Sequence, residues 1–376
     1  MSWDLQSQID ELRNQGLWRS LRLLDSAQGP VVRVDGRELV NFSSNDYLGL
    51  ADSAELRTAL KEGVDLYGAG SGASRLVCGT MKPHAELESA LAAFKRTEAA
   101  LTFSSGHAVA LGTIPALVGT GDTIILDKLS HASLVDAARL SGATIRVFPH
   151  NHLEKLSRLL ATAKGRVLVV TESIFSMDGD ACPLAEIVEL KNRHGAWLLL
   201  DEAHAVGVLG PQGRGLAAAL GLESQVDLHM GTLSKSLGLS GGYLAASQQV
   251  IDLLINRARS LIYSTAPLPS LVHAAKTALD LISGPEGDRR RQLLWRNIRH
   301  LIPDKAVASA ILPRILGDET RAMKASAQLK EAGFLIPAIR YPTVARDSAR
   351  LRITVSAAHT TEQMEQLRRV LELTES

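Results

Sequence analysis

From about residue 53 the chain settles into an alternation of two patterns. Stretches such as "PHAELESALAAFKR" (83–96) place apolar residues three and four apart, the spacing of a helix with one buried face. Between such stretches lie short apolar runs: "AALTF" (99–103), "DTIIL" (122–126), "TIRVF" (144–148), "RVLVVT" (166–171) and "AWLLLD" (196–201). Further short strands are expected at "DLHMGT" (227–232) and "GYLAAS" (242–247), and helices over 107–118, 132–141, 152–163 and 184–193. Apolar strands separated by helices predict a mostly parallel sheet covered on both faces.

The two ends read differently. Trp3 to Leu24 carries Leu5, Ile9, Leu12 and Leu21 at helical spacing, which predicts an amphipathic N-terminal helix. In "VVRVDGRELVNF" (31–42), Asp35-Gly36 between two alternating runs signals a β-hairpin. After Pro269, "GPEGDRRRQ" (284–292) reads as a polar interruption. Strands at "AVASAIL" (306–312), "FLIPAI" (334–339) and "RLRITV" (350–355) follow, with helices at 319–332 and 360–373. The expected division is an N-terminal helix and hairpin arm (1–50), a large α/β domain (51–271) and a smaller C-terminal α/β domain (272–376).

Composition narrows the function classes. Lysine and arginine (41) balance aspartate and glutamate (40), so no global field recruits nucleic acid or an anionic membrane. Only Cys78 and Cys182 are present, without metal-site spacing, which suits a reducing compartment. The N-terminus lacks the apolar stretch of a signal peptide, and no run reaches the roughly 20 apolar residues of a membrane helix. A cytoplasmic location is expected.

Two motifs fail on context. "GAGSGA" (68–73) fits a loose dinucleotide fingerprint, yet it follows a helical pattern instead of a strand. "GLSGG" (238–242) fits a nucleophile elbow, yet a strand-like segment follows it where a helix should. What survives is spread over the carboxyl ends of successive strands, where open α/β sheets bind ligands. Asp201 ends an apolar strand, where a carboxylate is costly unless a cation meets it. By itself it reads more readily as a strand-end cap or a structural ion pair. Lys235 lies among small and apolar residues in "HMGTLSKSLGLSGGY" (229–243). An aspartate for a protonated pyridine nitrogen and a lysine for an aldehyde are the two groups pyridoxal phosphate requires. Ser104, Ser105 and Gly106 join a strand to a helix, so backbone N–H groups could face a phosphate, though a plain serine cap describes the same residues. Thr232 could add a hydroxyl, and His131 an imidazole to stack on a planar ring. Five strand ends giving Ser105, His131, Ser176, Asp201 and Lys235 in order are a stronger signal than any one of them.

The chain resembles the α-oxoamine synthases, a fold-type I pyridoxal-phosphate family. The resemblance covers nearly the whole length. It rests on "NFSSNDYLGL" (41–50), "GSGASRLVCGT" (70–80), "LSHAS" (129–133), "TESIFSMDGD" (171–180), "LDEAHAVGVLG" (200–210), "GTLSKSLGLSGG" (231–242), "LIYSTAPLP" (261–269) and "RLRITVSAAHT" (350–360). It implies a large domain with a mostly parallel seven-stranded sheet and a smaller C-terminal α/β domain. It also implies that Lys235 bonds the cofactor, Asp201 pairs with the pyridinium nitrogen and His131 stacks on the ring. His204 and Ser176 would lie near the phenolic oxygen. The backbone at Ser105, Gly106 and His107, with the Thr232 hydroxyl, would hold the phosphate. Ser264 and Thr265 would reach the phosphate of a neighbouring subunit, making a homodimer necessary for activity. Arg352 would bind the amino-acid carboxylate, and Asn45 and Ser74 would lie near the substrate. His107, Ser234 and Cys78 depart from the usual residues of these motifs, and none removes a reacting group. The implied reaction joins L-alanine to a pimeloyl thioester carried by coenzyme A or acyl carrier protein. Glycine with an acetyl donor is the alternative within the family. Outside it stand a fold-type I aminotransferase, which would share Lys235 and Asp201, and an inactive binding relative, which would have no need of Lys235, Asp201, His131 and Arg352 together.

Overall fold

A computed structural model describes residues 3–303 and 305–373. In chain order its strands are β1 (Val31–Val34), β2 (Arg37–Asn41), β3 (Ala99–Phe103), β4 (Thr123–Asp127), β5 (Thr144–Phe148), β6 (Val167–Glu172) and β7 (Trp197–Asp201). Then come β8 (Leu228–Thr232), β9 (Gly242–Ala246), β10 (Ile311–Gly317), β11 (Phe334–Leu335), β12 (Ala338–Ile339) and β13 (Ala349–Thr354).

Seven of them form the expected central sheet, in the order β3-β9-β8-β7-β6-β4-β5. Neighbours are parallel except at β9, which runs antiparallel to both β3 and β8. Burial explains the apolar runs: every residue of β4, β8 and β9 is buried. Alternation along β4 sends Ile124 and Leu126 into one core with the helix Gly106–Leu117, and Ile125 into a second with Leu156 and Ile187. The sheet is therefore covered on both faces. β10, β13 and β12 make an antiparallel sheet, and β11 extends the β1–β2 hairpin by pairing parallel to β2. The helices Ala54–Tyr67 and Pro269–Ser283 cross at Gly63, where a Cβ would meet the Ser270 backbone at 2.8 Å.

Four expectations need correction. The N-terminal helix spans only Leu5–Asn14, buries none of its residues and gives way at Gly16, whose φ of +66° is left-handed. Leu21, counted as part of its apolar face, is fully exposed. "GPEGDRRRQ" is no interruption: it opens the helix Pro285–Leu301. Pro285 at the first position with Glu286 and Asp288 in the first turn is a helix start, and Arg290 and Arg291 pair back onto those acids. The strand expected at 306–312 begins at Ile311, because the Ser309 hydroxyl is bonded to the Gly179 carbonyl and β13 pairs with 311–317. "FLIPAI" splits at Pro337, so β11 joins the hairpin sheet and β12 joins β13. Among the described residues no helix is long and apolar enough to cross a membrane.

Candidate active site

The parallel strands bring their carboxyl ends to one edge of the sheet. Glu172, at the end of β6, stands opposite Asp201, at the end of β7, and Asp201 stands opposite Met230 of β8. Ser173 ties the two strand ends, its N–H and hydroxyl both donating to the Asp201 carbonyl at 2.8 and 3.0 Å. Beyond β8 the chain makes a tight turn, closed by the Gly238 N–H on the Lys235 carbonyl. Gly238 (φ +71°) packs so close to the Leu50–Ala51 backbone that a Cβ there would meet Ala51 N at 2.6 Å. This contact fixes the loop that presents Lys235.

Lys235 Nζ lies 2.8 Å from His204 Nε2. A protonated amine can only donate there, which leaves the imidazole proton on Nδ1, facing the hydroxyl of Tyr47. Tyr47 donates in turn to Asn45 Oδ1 at 3.3 Å, an oxygen that also accepts from Arg352 Nη2 at 3.1 Å. Arg352 is buried, with Nε on the Ser176 carbonyl at 2.6 Å and Nη1 on Thr354 Oγ1 at 2.9 Å.

Burial governs the charges. It pushes Lys235 down to about 8, with Arg352 adding to the effect and Asp201 and Glu172 opposing it. It holds His204 well below the usual histidine range, helped by the charges of Lys235 and Arg352. It lifts Tyr47 to about 12. Asp201 is raised by burial and held back by Lys235. Glu172 is also raised, by burial and then by Asp201. Burial also lowers His131.

The loop expected to hold a phosphate and the loop of Lys235 meet through β9. Phe103 of β3 and Thr232 of β8 both pair with Gly242, where a Cβ would meet Gly106 N at 2.6 Å. The same close approach puts Gly106 beside Thr232: a Cβ on Gly106 would lie 3.9 Å from Thr232 Oγ1. Ser105 caps the helix Gly106–Leu117 by accepting from the Ala108 N–H, and the first intrahelical bond is Val109 N–H to Ser105 O. The N–H groups of Gly106 and His107 precede that bond and are left for an anion, beside a hydroxyl. A phosphate-bearing pyridine aldehyde fits this donor set: an anion cradle, a buried carboxylate and an amine of lowered basicity.

His131 caps the helix Ala132–Ser141, with Nδ1 2.8 Å from Ser133 Oγ and its backbone N–H on Glu172 Oε1 at 2.6 Å. Asn45, Ser176, His204, Lys235 and Arg352 are joined through the contacts given above. Ser264 and Thr265 take no part in those contacts: Thr265 bridges to Ser74, and the Ala266 N–H bonds the Ala73 carbonyl. Two participants escaped sequence reasoning. Glu172 ends an apolar strand as Asp201 does, a signal that was there to be read. Tyr47 carries no such mark, since only the fold brings it to His204.

Comparison with known proteins gives the following. A family model described as aminotransferase class I and II matches residues 37–371. The 8-amino-7-oxononanoate synthase of Geobacter sulfurreducens is 47% identical over 375 residues, 97% of this chain and 96% of that protein. A Sphingomonas wittichii serine palmitoyltransferase superposes with a TM-score of 0.93 at 34% identity, over 99% of this chain and 98% of that one. A serine palmitoyltransferase from S. paucimobilis, solved with PLP and myriocin bound, gives 0.92 at 30% identity over 98% of this chain and 96% of that one.

Proposed function

The chain belongs to the aminotransferase class I and II family, in its α-oxoamine synthase branch, and on that premise we propose that it is an 8-amino-7-oxononanoate synthase of biotin biosynthesis. It joins L-alanine to a pimeloyl thioester with loss of CO2 and release of the thiol carrier. The observation that carries the substrate assignment is the near-full-length identity to the Geobacter enzyme.

Its cofactor is pyridoxal phosphate, which when bound supplies an electron sink that makes the Cα proton and the carboxylate of an amino acid removable. Gly106 and His107 N–H groups and the Thr232 hydroxyl would hold the phosphate, with Ser105 fixing the turn. Asp201 would keep the ring nitrogen protonated, His131 would stack on the ring, and His204 and Ser176 would lie by the phenolic oxygen. Lys235, with its basicity lowered to about 8, suits the work of taking the Cα proton near neutral pH. Arg352 would grip the alanine carboxylate, giving up one of its bonds to Ser176 O and Asn45 Oδ1. Asn45 and Ser74 would line the substrate's approach.

The same reading makes the protein a homodimer in which Ser264 and Thr265 serve the neighbouring site. Exposed apolar residues around the Ser74–Thr265 bridge support it: Val77 is 79% and Tyr263 71% exposed. The test is thiol release by the purified protein with L-alanine and pimeloyl-CoA. No release with pimeloyl donors, but brisk release with acetyl-CoA and glycine, would overturn the substrate assignment. Keto-acid turnover without thiol release would instead make it an aminotransferase.

A further inference from the structure

Glu172 belongs to no role assigned so far, yet it is only 2% exposed and sits against the reacting groups. Residues opposite one another on neighbouring strands face the same side of a sheet, so the Glu172 and Asp201 side chains share one side of the pocket floor. Two carboxylates side by side and out of water oppose each other's ionisation. We propose that Glu172 is a positioning residue for the cofactor ring: its carboxyl clamps the backbone of His131, and it is the neutral member of the Glu172–Asp201 pair, so the negative charge stays on Asp201.

The clamp is direct. Glu172 Oε1 accepts the His131 N–H at 2.6 Å, and His131 is the cap from which the helix Ala132–Ser141 departs. The orientation of the imidazole is therefore set from the end of β6. The charge assignment follows from what faces Glu172. Asp201 on β7 and Asp127 on β4 oppose its ionisation, the Lys235 ammonium and the His131 N–H favour it, and burial outweighs them. Asp127 is committed elsewhere, accepting from the N–H groups of Leu129 and Asn151 and from His150. Asp201 draws on Lys235 as its largest favourable influence, and its Oδ1 also accepts from the Ala203 N–H at 2.9 Å. A neutral Glu172 leaves one negative charge on the pocket floor, the number a single pyridinium can match.

This inference rests on the pyridoxal-phosphate reading, and its test separates the two. The parent protein, Glu172→Gln, Glu172→Asp and Glu172→Ala are titrated with pyridoxal phosphate, following the visible band of the cofactor bonded to Lys235 and its dependence on pH. Glutamine is neutral, equal in size and still accepts the His131 N–H. It should bind within about twofold of the parent and leave the band and its titration unmoved, while alanine weakens binding about tenfold, the effect of one positioning hydrogen bond. Aspartate is too short to reach the N–H and should resemble alanine. A Glu172→Gln protein with a shifted titration or weakened binding overturns the neutral assignment, even if the alanine and aspartate variants fail to fold. A folded Glu172→Ala protein with the parent's affinity and band overturns the clamp. A parent protein that develops no band at all would sink the cofactor reading instead.

Discussion

Lys235 and Lys95 show two fates for a lysine withdrawn from water. Lys235 meets His204 and is left weakly basic, which predicts a particular dependence of stability on pH. As pH rises from about 8 towards the ordinary lysine value of 10.5, the unfolded chain holds a proton here that the folded chain has lost. The contribution of this group to stability therefore grows across that window and is lost as pH falls through about 8. Denaturant titrations of the cofactor-free protein should show the parent gaining on Lys235→Met between pH 8 and 10, and a flat difference would mean that the amine is of ordinary basicity. Lys95, by contrast, is completely buried and ion-paired with Glu202, and it also donates to the Arg214 carbonyl at 2.6 Å. Glu202 accepts from the Ala217 N–H at 3.1 Å and lies 3.5 Å from His229, so removing the lysine strands a charge among fixed groups. Lys95→Met should cost about 3–5 kcal/mol in urea unfolding, and adding Glu202→Gln should recover part of it.

Among the elements, β9 decides whether the site exists. It is the strand that both the Ser105–Gly106 loop and the Lys235 loop lean on, and Gly242 is the point of contact. A Cβ at 242 must displace the Gly106 backbone, so Gly242→Ala should cost about 1–3 kcal/mol in stability. It should also weaken pyridoxal phosphate binding out of proportion, measured by thermal unfolding and by cofactor titration. The elements that sequence makes legible are those whose residues declare their own surroundings. The wholly apolar runs become buried strands within a residue or two, and helices 132–141 and 184–193 begin and end as their patterns predict. Misreadings arise where tertiary contacts override the pattern. The helix from Pro285 hides its apolar face behind a run of arginines that pair with its own first turn. Leu21 continues a helical pattern, yet the helix ends before the left-handed Gly16, and Arg340 donates to the carbonyls of Gly16 and Trp18 where the chain leaves it. At the site, Lys235, Asp201 and Ser105 are legible from strand ends and loops. Tyr47 is not, since its meeting with His204 spans 157 residues of chain.

For the whole molecule, the placement of Ser264 and Thr265 beside Ser74 makes a prediction about assembly. If they complete the site of a neighbouring subunit, Lys235→Ala and the Ser264→Ala/Thr265→Ala double variant should each be impaired alone. Mixed by unfolding and refolding together, they should regain part of the parent's thiol release, because each mixed dimer contains one intact set. Mixtures no better than their components would place those residues in the site of their own chain. The position of β9 also bears on how the protein is made. It follows β3 by some 140 residues of chain yet sits between β3 and β8, so a nascent chain shorter than about residue 246 leaves unpaired the sides of β3 and β8 that β9 covers in the finished protein. Until that strand leaves the ribosome and slots in, nothing holds Gly106 against Thr232. Tight cofactor binding should therefore follow the insertion of β9, and would report that the central sheet has closed.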